Sequence, residues 1–267
     1  MNFVFLNGEI LPAKKAKISL FDHGFLYGDG IYETLRTKNG ELFDFENHFR
    51  RLKKSAEKLE IPIFFSEKEL FDAAKKIVEK NHFPESRVRI TVSRGENHFS
   101  FCGAKNPTVA IFAEKLPDFS REKKSGVKIT TIKLSRFLPE IKSISLLPMI
   151  LAKQKAQKIG AFETLFLRKN GAISEGSVSN VIFRKGKKVF SAPKKVALAG
   201  TTQKKVLEKA RENFEVLEVE FWVDDLKNAD EVLLLNSVFG VVPVAEIDGT
   251  LRKKVRGELF KMAEKMV

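Results

Sequence analysis

The sequence predicts a mixed α/β fold (α+β in its ordering) built as two domains. Three observations lead there. Short strand-like runs are joined by Asn-Gly turns, amphipathic helical stretches lie between them, and one polar stretch punctuated by Pro and Gly interrupts the chain near its middle. At 267 residues the chain has enough length to bury one large core or two modest ones.

Each element follows from local chemistry. "NFVFLNGEILP" reads as a hairpin, because Asn7 and Gly8 tolerate the positive φ that a two-residue turn requires. "YGDGIYETLRTKNGELFDF" repeats the pattern around Asn39-Gly40. "FENHFRRLKKSAEKLEI" places Phe49, Leu52, Ala56 and Leu59 on one helical face. A second helix begins at Ser66, where Glu69 three residues on completes a capping-box pattern. "RVRITVSRG" and "TVAIFAEKL" read as strands. Residues 117–126, "PDFSREKKSG", have no apolar period and are expected to link an N-terminal domain (1–116) to a C-terminal one (127–267). Beyond them, "VKITTIKL" reads as a strand and "LLPMILAKQKAQKIG" as a helix closed by Gly160. Short strands follow, joined at Asn170-Gly171, at "SEGSVSN" and at Lys185-Gly186. "TTQKKVLEKARENF" is a helix, and "EVLLLNSVFGVVPV" supplies late strands.

The formal charge of +14 raises the question of nucleic acid, but the lysines are spread along the chain and interleaved with Glu, as on solvated helix faces. No nucleic-acid role is expected. No apolar run approaches the ~20 residues a membrane span needs, and no signal peptide is evident. The single cysteine, Cys102, excludes an internal disulfide framework and a cysteine-based metal cluster. It fits a reducing cytoplasm, and no metal site is expected.

Four features suit one ligand. Lys142 precedes an apolar helix, where desolvation frees an amine to attack an aldehyde. Glu175 heads a small, hydroxyl-rich loop between two apolar runs, and a carboxylate held there needs a cationic or hydrogen-bonding partner such as a protonated pyridine nitrogen. Gly200, Thr201 and Thr202 open a helix whose N–H groups and hydroxyls suit an anion. Arg51, one turn after His48, offers a guanidinium for bidentate phosphate contact. Aldehyde capture, pyridinium stabilisation and two phosphate contacts make up the inventory that pyridoxal 5'-phosphate requires.

In its ordered motifs the chain resembles the class IV aminotransferase family, the fold-type IV pyridoxal-phosphate enzymes. The likeness runs from "DHGFLYGDGIYETLR" and "HFRRL" through "IKSISLL", "GAISEGSVSNVIF" and "LAGTTQKK" to "NSVFGVVPV". The resemblance implies two domains with the active site between them and a homodimer. It makes Lys142 the Schiff-base lysine, Glu175 the partner of the ring nitrogen, and Arg51 with Gly200, Thr201 and Thr202 the phosphate site. Ser179 and Asn180 line the same loop near the cofactor. Tyr32 resembles the substrate-side tyrosine. Arg89 shares a strand face with Arg87 and Thr91 and sits where relatives place a base for a substrate carboxylate, and His98 lies in the following loop.

The resemblance leaves the subfamily open. Branched-chain enzymes carry Asn-Tyr where this chain has Leu146-Leu147. D-amino-acid enzymes carry an Arg-x-His pair where this chain has "GENHFSFCG", with His98 alone. The expected activity is transfer of an amino group from an amino acid to a 2-oxo acid. The alternative is aminodeoxychorismate lyase, favoured by Thr34 and Asn236-Ser237 but lacking that branch's Arg-Gly-Tyr loop. A non-catalytic pyridoxal-phosphate carrier is a third reading.

Overall fold

The computed structural model describes residues 2–101, 106–251 and 255–267. Cys102 lies outside the described residues. The chain divides into two compact units, Met1–Pro117 with Ile141–Leu146, and Asp118–Glu140 with Leu147–Val267.

The first unit contains β1 (Phe3–Leu6), β2 (Glu9–Pro12), α1 (His23–Tyr27), β3 (Gly30–Lys38), β4 (Glu41–Leu42), α2 (Phe45–Lys58), α3 (Glu67–Asn81), β5 (Ser86–Ser93) and β6 (Thr108–Lys115). Its six strands form one antiparallel sheet in the order β2-β1-β6-β5-β3-β4. Both Asn-Gly turns are two-residue hairpins, with φ of +49° and +102° at Asn7 and Gly8 and +54° and +81° at Asn39 and Gly40. Ile31, Leu35, Val88, Ile90 and Val92 alternate onto the face that α2 and α3 cover. On α2, Leu52 and Ala56 are fully buried, while Phe49 and Leu59 flank the core.

The second unit contains α4 (Ser120–Ser125), β7 (Val127–Lys133), α5 (Leu147–Lys158), β8 (Glu163–Leu167), β9 (Ile173–Gly176), β10 (Asn180–Lys185), β11 (Lys188–Ser191), α6 (Thr201–Ala210), β12 (Glu215–Glu218), α7 (Val223–Lys227), β13 (Glu231–Asn236), β14 (Gly240–Ile247), β15 (Thr250–Leu251) and α8 (Glu258–Glu264). The sheet order is β12-β11-β10-β13-β14-β7-β8-β9, with β15 beside β14. Parallel pairs β7–β8, β7–β14 and β11–β12 make it a mixed sheet. Gly176 N–H donates to Ser179 O at 2.7 Å across the turn from β9 to β10, so the sheet curls back on itself. Two apolar clusters fill this unit, one around Val232, Leu234 and Phe221, the other between β13 and the helices α6 and α8.

Two expectations are corrected. Residues 117–126 are not a bare linker. Ser120–Ser125 is helical, too short to display an apolar period, and Phe119 before it packs on Phe162 and Phe239. The expected C-terminal domain does not carry Lys142. Ile141–Leu146 groups with the first unit, because it pairs with β3. Tyr32 N–H donates to Lys142 O at 2.9 Å, Ile144 N–H donates to Gly30 O at 3.0 Å, and Ile141 is buried in the first unit's core. So short a ribbon carries too little sequence pattern to reveal a strand partner.

Among the described residues no helix is long and apolar enough to cross a membrane. The Ser66–Glu69 capping box is present, with Ser66 N–H donating to Glu69 Oε2 at 2.7 Å and Glu69 N–H donating to Ser66 Oγ at 3.2 Å. Ser66→Ala should lower stability by about 1 kcal/mol, measured as the midpoint shift in urea at constant slope; an unchanged midpoint would show that α3 does not depend on its cap.

Candidate active-site residues in the two units

In the first unit the register of β3 against β5 sorts the side chains by face. Tyr32 is opposite Thr91, Thr34 opposite Arg89 and Arg36 opposite Arg87, so these six share one face. Arg89 Cζ lies 3.9 Å from the centre of the Tyr32 ring, and Lys142 Nζ lies 4.6 Å from it. The backbone pairing of Lys142 with Tyr32 fixes that second contact. The two arginines differ in their partners. Arg87 is bonded to Glu114, whereas Arg89 donates from Nε to Thr91 Oγ1 at 3.1 Å and meets no carboxylate among the described residues. Burial pulls the Arg89 guanidinium below its ordinary pKa; Tyr32 opposes this and Arg87 adds to it. A half-buried cation without an anion is a site for an anion from outside.

Glu33 points to the opposite face, between Ile31 and Leu35. It is fully buried and meets two residues of α2. Arg51 donates from Nε and Nη2 to its two oxygens, each at 2.7 Å, and His48 Nδ1 lies 2.7 Å from Oε2. Burial pushes the Glu33 carboxyl up, but Arg51 and His48 outweigh it and hold it far below the usual carboxylate range. Burial likewise lowers Arg51, and Glu33 more than reverses that. Arg51 is thus held in one plane by a bidentate partner. Sequence reasoning missed Glu33, although its alternation with Ile31 and Leu35 marked it as a carboxylate on a core face.

The second unit gathers residues that the sequence analysis treated separately. Glu175 on β9 accepts from Leu198 N–H at Oε2 (3.2 Å) and from Arg136 Nη1 at Oε1 (3.2 Å). Asn180 on β10 donates from Nδ2 to Leu198 O at 2.8 Å. A Cβ on Gly200 would stand 1.9 Å from Asn180 Oδ1, so only glycine fits there. Gly200 is the N-cap of α6 and Thr201 and Thr202 are its first two residues, both buried. Leu198 and Asn180 therefore tie Glu175 to the start of α6.

Ser179 is anchored within its loop by a buried carboxylate. Its hydroxyl donates to Glu163 Oε2 at 2.8 Å. Glu163, fully buried on β8, also accepts from Thr164 N–H, Ser177 N–H, the Ser177 hydroxyl and Val178 N–H. Asn236 donates to Val178 O at 3.2 Å and completes the hold on this turn. Neither Glu163 nor Arg136 was singled out from sequence. His98 lies on an exposed loop with its ring 4.4 Å from Phe21, and the described contacts around Tyr32 do not include it.

The sequence model described as "Amino-transferase class IV" matches residues 30–247, which hold Tyr32, Glu33, Arg51, Arg89, Lys142, Glu175 and Thr202. The chain belongs to the class IV aminotransferases. This class IV aminotransferase is 34% identical to a D-alanine aminotransferase of Bacillus licheniformis over 97% of its own length and 93% of the relative's. It is 32% identical to a putative branched-chain-amino-acid aminotransferase of Methanocaldococcus jannaschii, over 97% and 92%. Its fold matches a T.th. branched-chain amino acid aminotransferase, solved with pyridoxamine 5'-phosphate, at a TM-score of 0.92 and 26% identity, over 99% of this chain and 92% of that one.

The Glu33 contacts set a pH dependence. A carboxyl whose pKa falls on folding stabilises the fold above its unfolded value, near 4.5, and that contribution is lost as pH drops toward the folded value. Glu33→Gln should cost about 3–5 kcal/mol at pH 7 by leaving Arg51 unpaired. Urea denaturation of both proteins should show the gap narrowing below pH 4; a pH-independent gap would mean the ion pair is not its source.

Proposed function

We propose that this chain transfers an amino group between an amino acid and a 2-oxo acid with pyridoxal 5'-phosphate held covalently at Lys142. The observation that carries the reading is the Tyr32 ring, which gathers the Lys142 amine and the Arg89 guanidinium, Arg89 meeting no carboxylate among the described residues. The donor set suits the cofactor. The first unit supplies an amine and a fixed guanidinium, Arg51; the second supplies a buried carboxylate and a helix start capped by glycine. The solved branched-chain relative, with pyridoxamine 5'-phosphate, supports the same choice.

When bound, the cofactor supplies an electron sink for the substrate's Cα. Lys142 would hold the cofactor through its amine and would move the proton at the substrate's Cα. Glu175 would hold the ring nitrogen through its carboxylate. Gly200, Thr201 and Thr202 bind phosphate through the N-terminus of α6, and Arg51 adds a guanidinium edge whose plane Glu33 sets. Asn180 holds the Leu198 backbone that donates to Glu175, and Ser179 ties the turn after β9 to Glu163. Arg89 takes a substrate carboxylate. A homodimer is part of the same reading. The exposed apolar side chains Leu20, Phe21, Phe25, Phe99 and Phe101 on the first unit, among which Phe21 packs on Phe99, offer a surface for a second copy.

Borohydride reduction of the loaded enzyme and peptide mapping should place the pyridoxyl group on Lys142; a label on another lysine ends the assignment. Single half-reactions with L- and D-amino acids should convert the cofactor spectrum to that of pyridoxamine phosphate, and a 2-oxo acid should restore it. Arg89→Gln should weaken the response by roughly tenfold or more, from a lost charge-assisted pair of ~1.5–3 kcal/mol. No conversion, with aminodeoxychorismate yielding pyruvate and 4-aminobenzoate, would make the enzyme a lyase. Sedimentation should give a dimer that Phe25→Glu dissociates; a wild-type monomer would remove the homodimer.

A further inference from the structure

The described contacts of Glu175 include donors of two different kinds. The Leu198 N–H at Oε2 is neutral, while the Arg136 guanidinium at Oε1 is a cation, and the two side chains are 10% and 4% exposed for Arg136 and Glu175. A carboxylate whose only task was to hold a pyridinium would not need a second cation. We propose that Arg136 is a positioning residue that orients Glu175 and limits how strongly Glu175 retains the proton on the cofactor's ring nitrogen. The inference rests on the reading that Glu175 faces that nitrogen.

The physical basis is charge competition. A ring nitrogen bearing a proton brings a second cation to a carboxylate that Arg136 already engages; a neutral one does not. In a site taken out of water a second cation weakens the carboxylate's hold on the first. Other charges near β9 do not supply the same effect. Glu163 on β8 has five donors on its oxygens. Arg184 and Lys185 lie at the far end of β10, and Arg184 is paired with Glu231 and Asp230. The contact also constrains orientation, because Arg136 and Leu198 between them engage both oxygens of Glu175.

The test uses the holoenzyme loaded with pyridoxal 5'-phosphate carrying ¹⁵N in the ring, and follows the ring nitrogen's chemical shift against pH. Arg136→Gln should raise the midpoint of protonation by about one pH unit, roughly a tenfold gain in proton retention. Arg136→Lys should leave it near wild type. Arg136→Met should reproduce the rise if the glutamine variant does not fold. A midpoint that is unchanged or lowered in the uncharged variants overturns the proposal. So does a wild-type nitrogen that stays protonated wherever the enzyme is folded. Glu175→Gln separates the two levels of inference. If it lowers the midpoint, Glu175 faces the nitrogen and the Arg136 variants decide the proposal. If it leaves the midpoint at wild type, the Glu175 assignment itself fails and the proposal falls with it.

Discussion

A carboxylate removed from water must find donors for both its oxygens, and this chain imposes that demand at Glu33, Glu163 and Glu231, each fully buried. Glu33 draws α2 onto β3 through His48 and Arg51. Glu163 shapes the turn between β9 and β10 by accepting from four donors in it, on Ser177, Val178 and Ser179. Glu231 accepts from Arg184 and from the N–H groups of Gly257, Leu259 and Phe260, and so anchors the start of α8. Apolar contact alone is non-directional and would leave each of these elements free to shift. The carboxylates supply direction, each where a strand meets another element of the chain.

The same requirement explains what could be read from the sequence. Turns whose geometry is dictated by one dipeptide were legible, as at Asn7-Gly8 and Asn39-Gly40. So was a helix start that carries its own chemical signature at Ser66 and Glu69. Glu175, Gly200 and Thr202 stood out because a charged residue or an uncapped turn interrupts an apolar run. Their connection did not, since it passes through the backbone of Leu198, and a backbone N–H leaves no mark on residue type. Arg136 was hidden for a related reason. It is one arginine in an irregular segment of a lysine-rich chain, and only its distance to Glu175 distinguishes it. Ser179 was noticed for its place in the loop, yet its hydroxyl turns toward Glu163, a partner sixteen residues earlier.

The sheet of the first unit separates two kinds of work by parity. Residues 31, 33 and 35 face the helices and stabilise the fold; residues 32, 34 and 36 face away, where Arg89 and Lys142 converge on Tyr32. A slip of one residue in the β3–β5 register would exchange these sets, burying Tyr32 and exposing Glu33. The Glu33–Arg51 pair therefore guards the register that presents Tyr32, because a misregistered strand would strand both charges.

The ribbon of residues 141–146 has a consequence for the chain as a heritable object. It belongs to the first unit, yet the residues on either side of it, Glu140 and Leu147, belong to the second. The polypeptide therefore crosses between the units three times, and Lys142 sits on the middle excursion. A gene fragment ending at Pro117 encodes the sheet face with Tyr32 and Arg89 but not the amine paired with it. One beginning at Asp118 carries that amine without the strand that orders it. Both units must therefore be carried on one polypeptide for Lys142 to keep its pairing with β3.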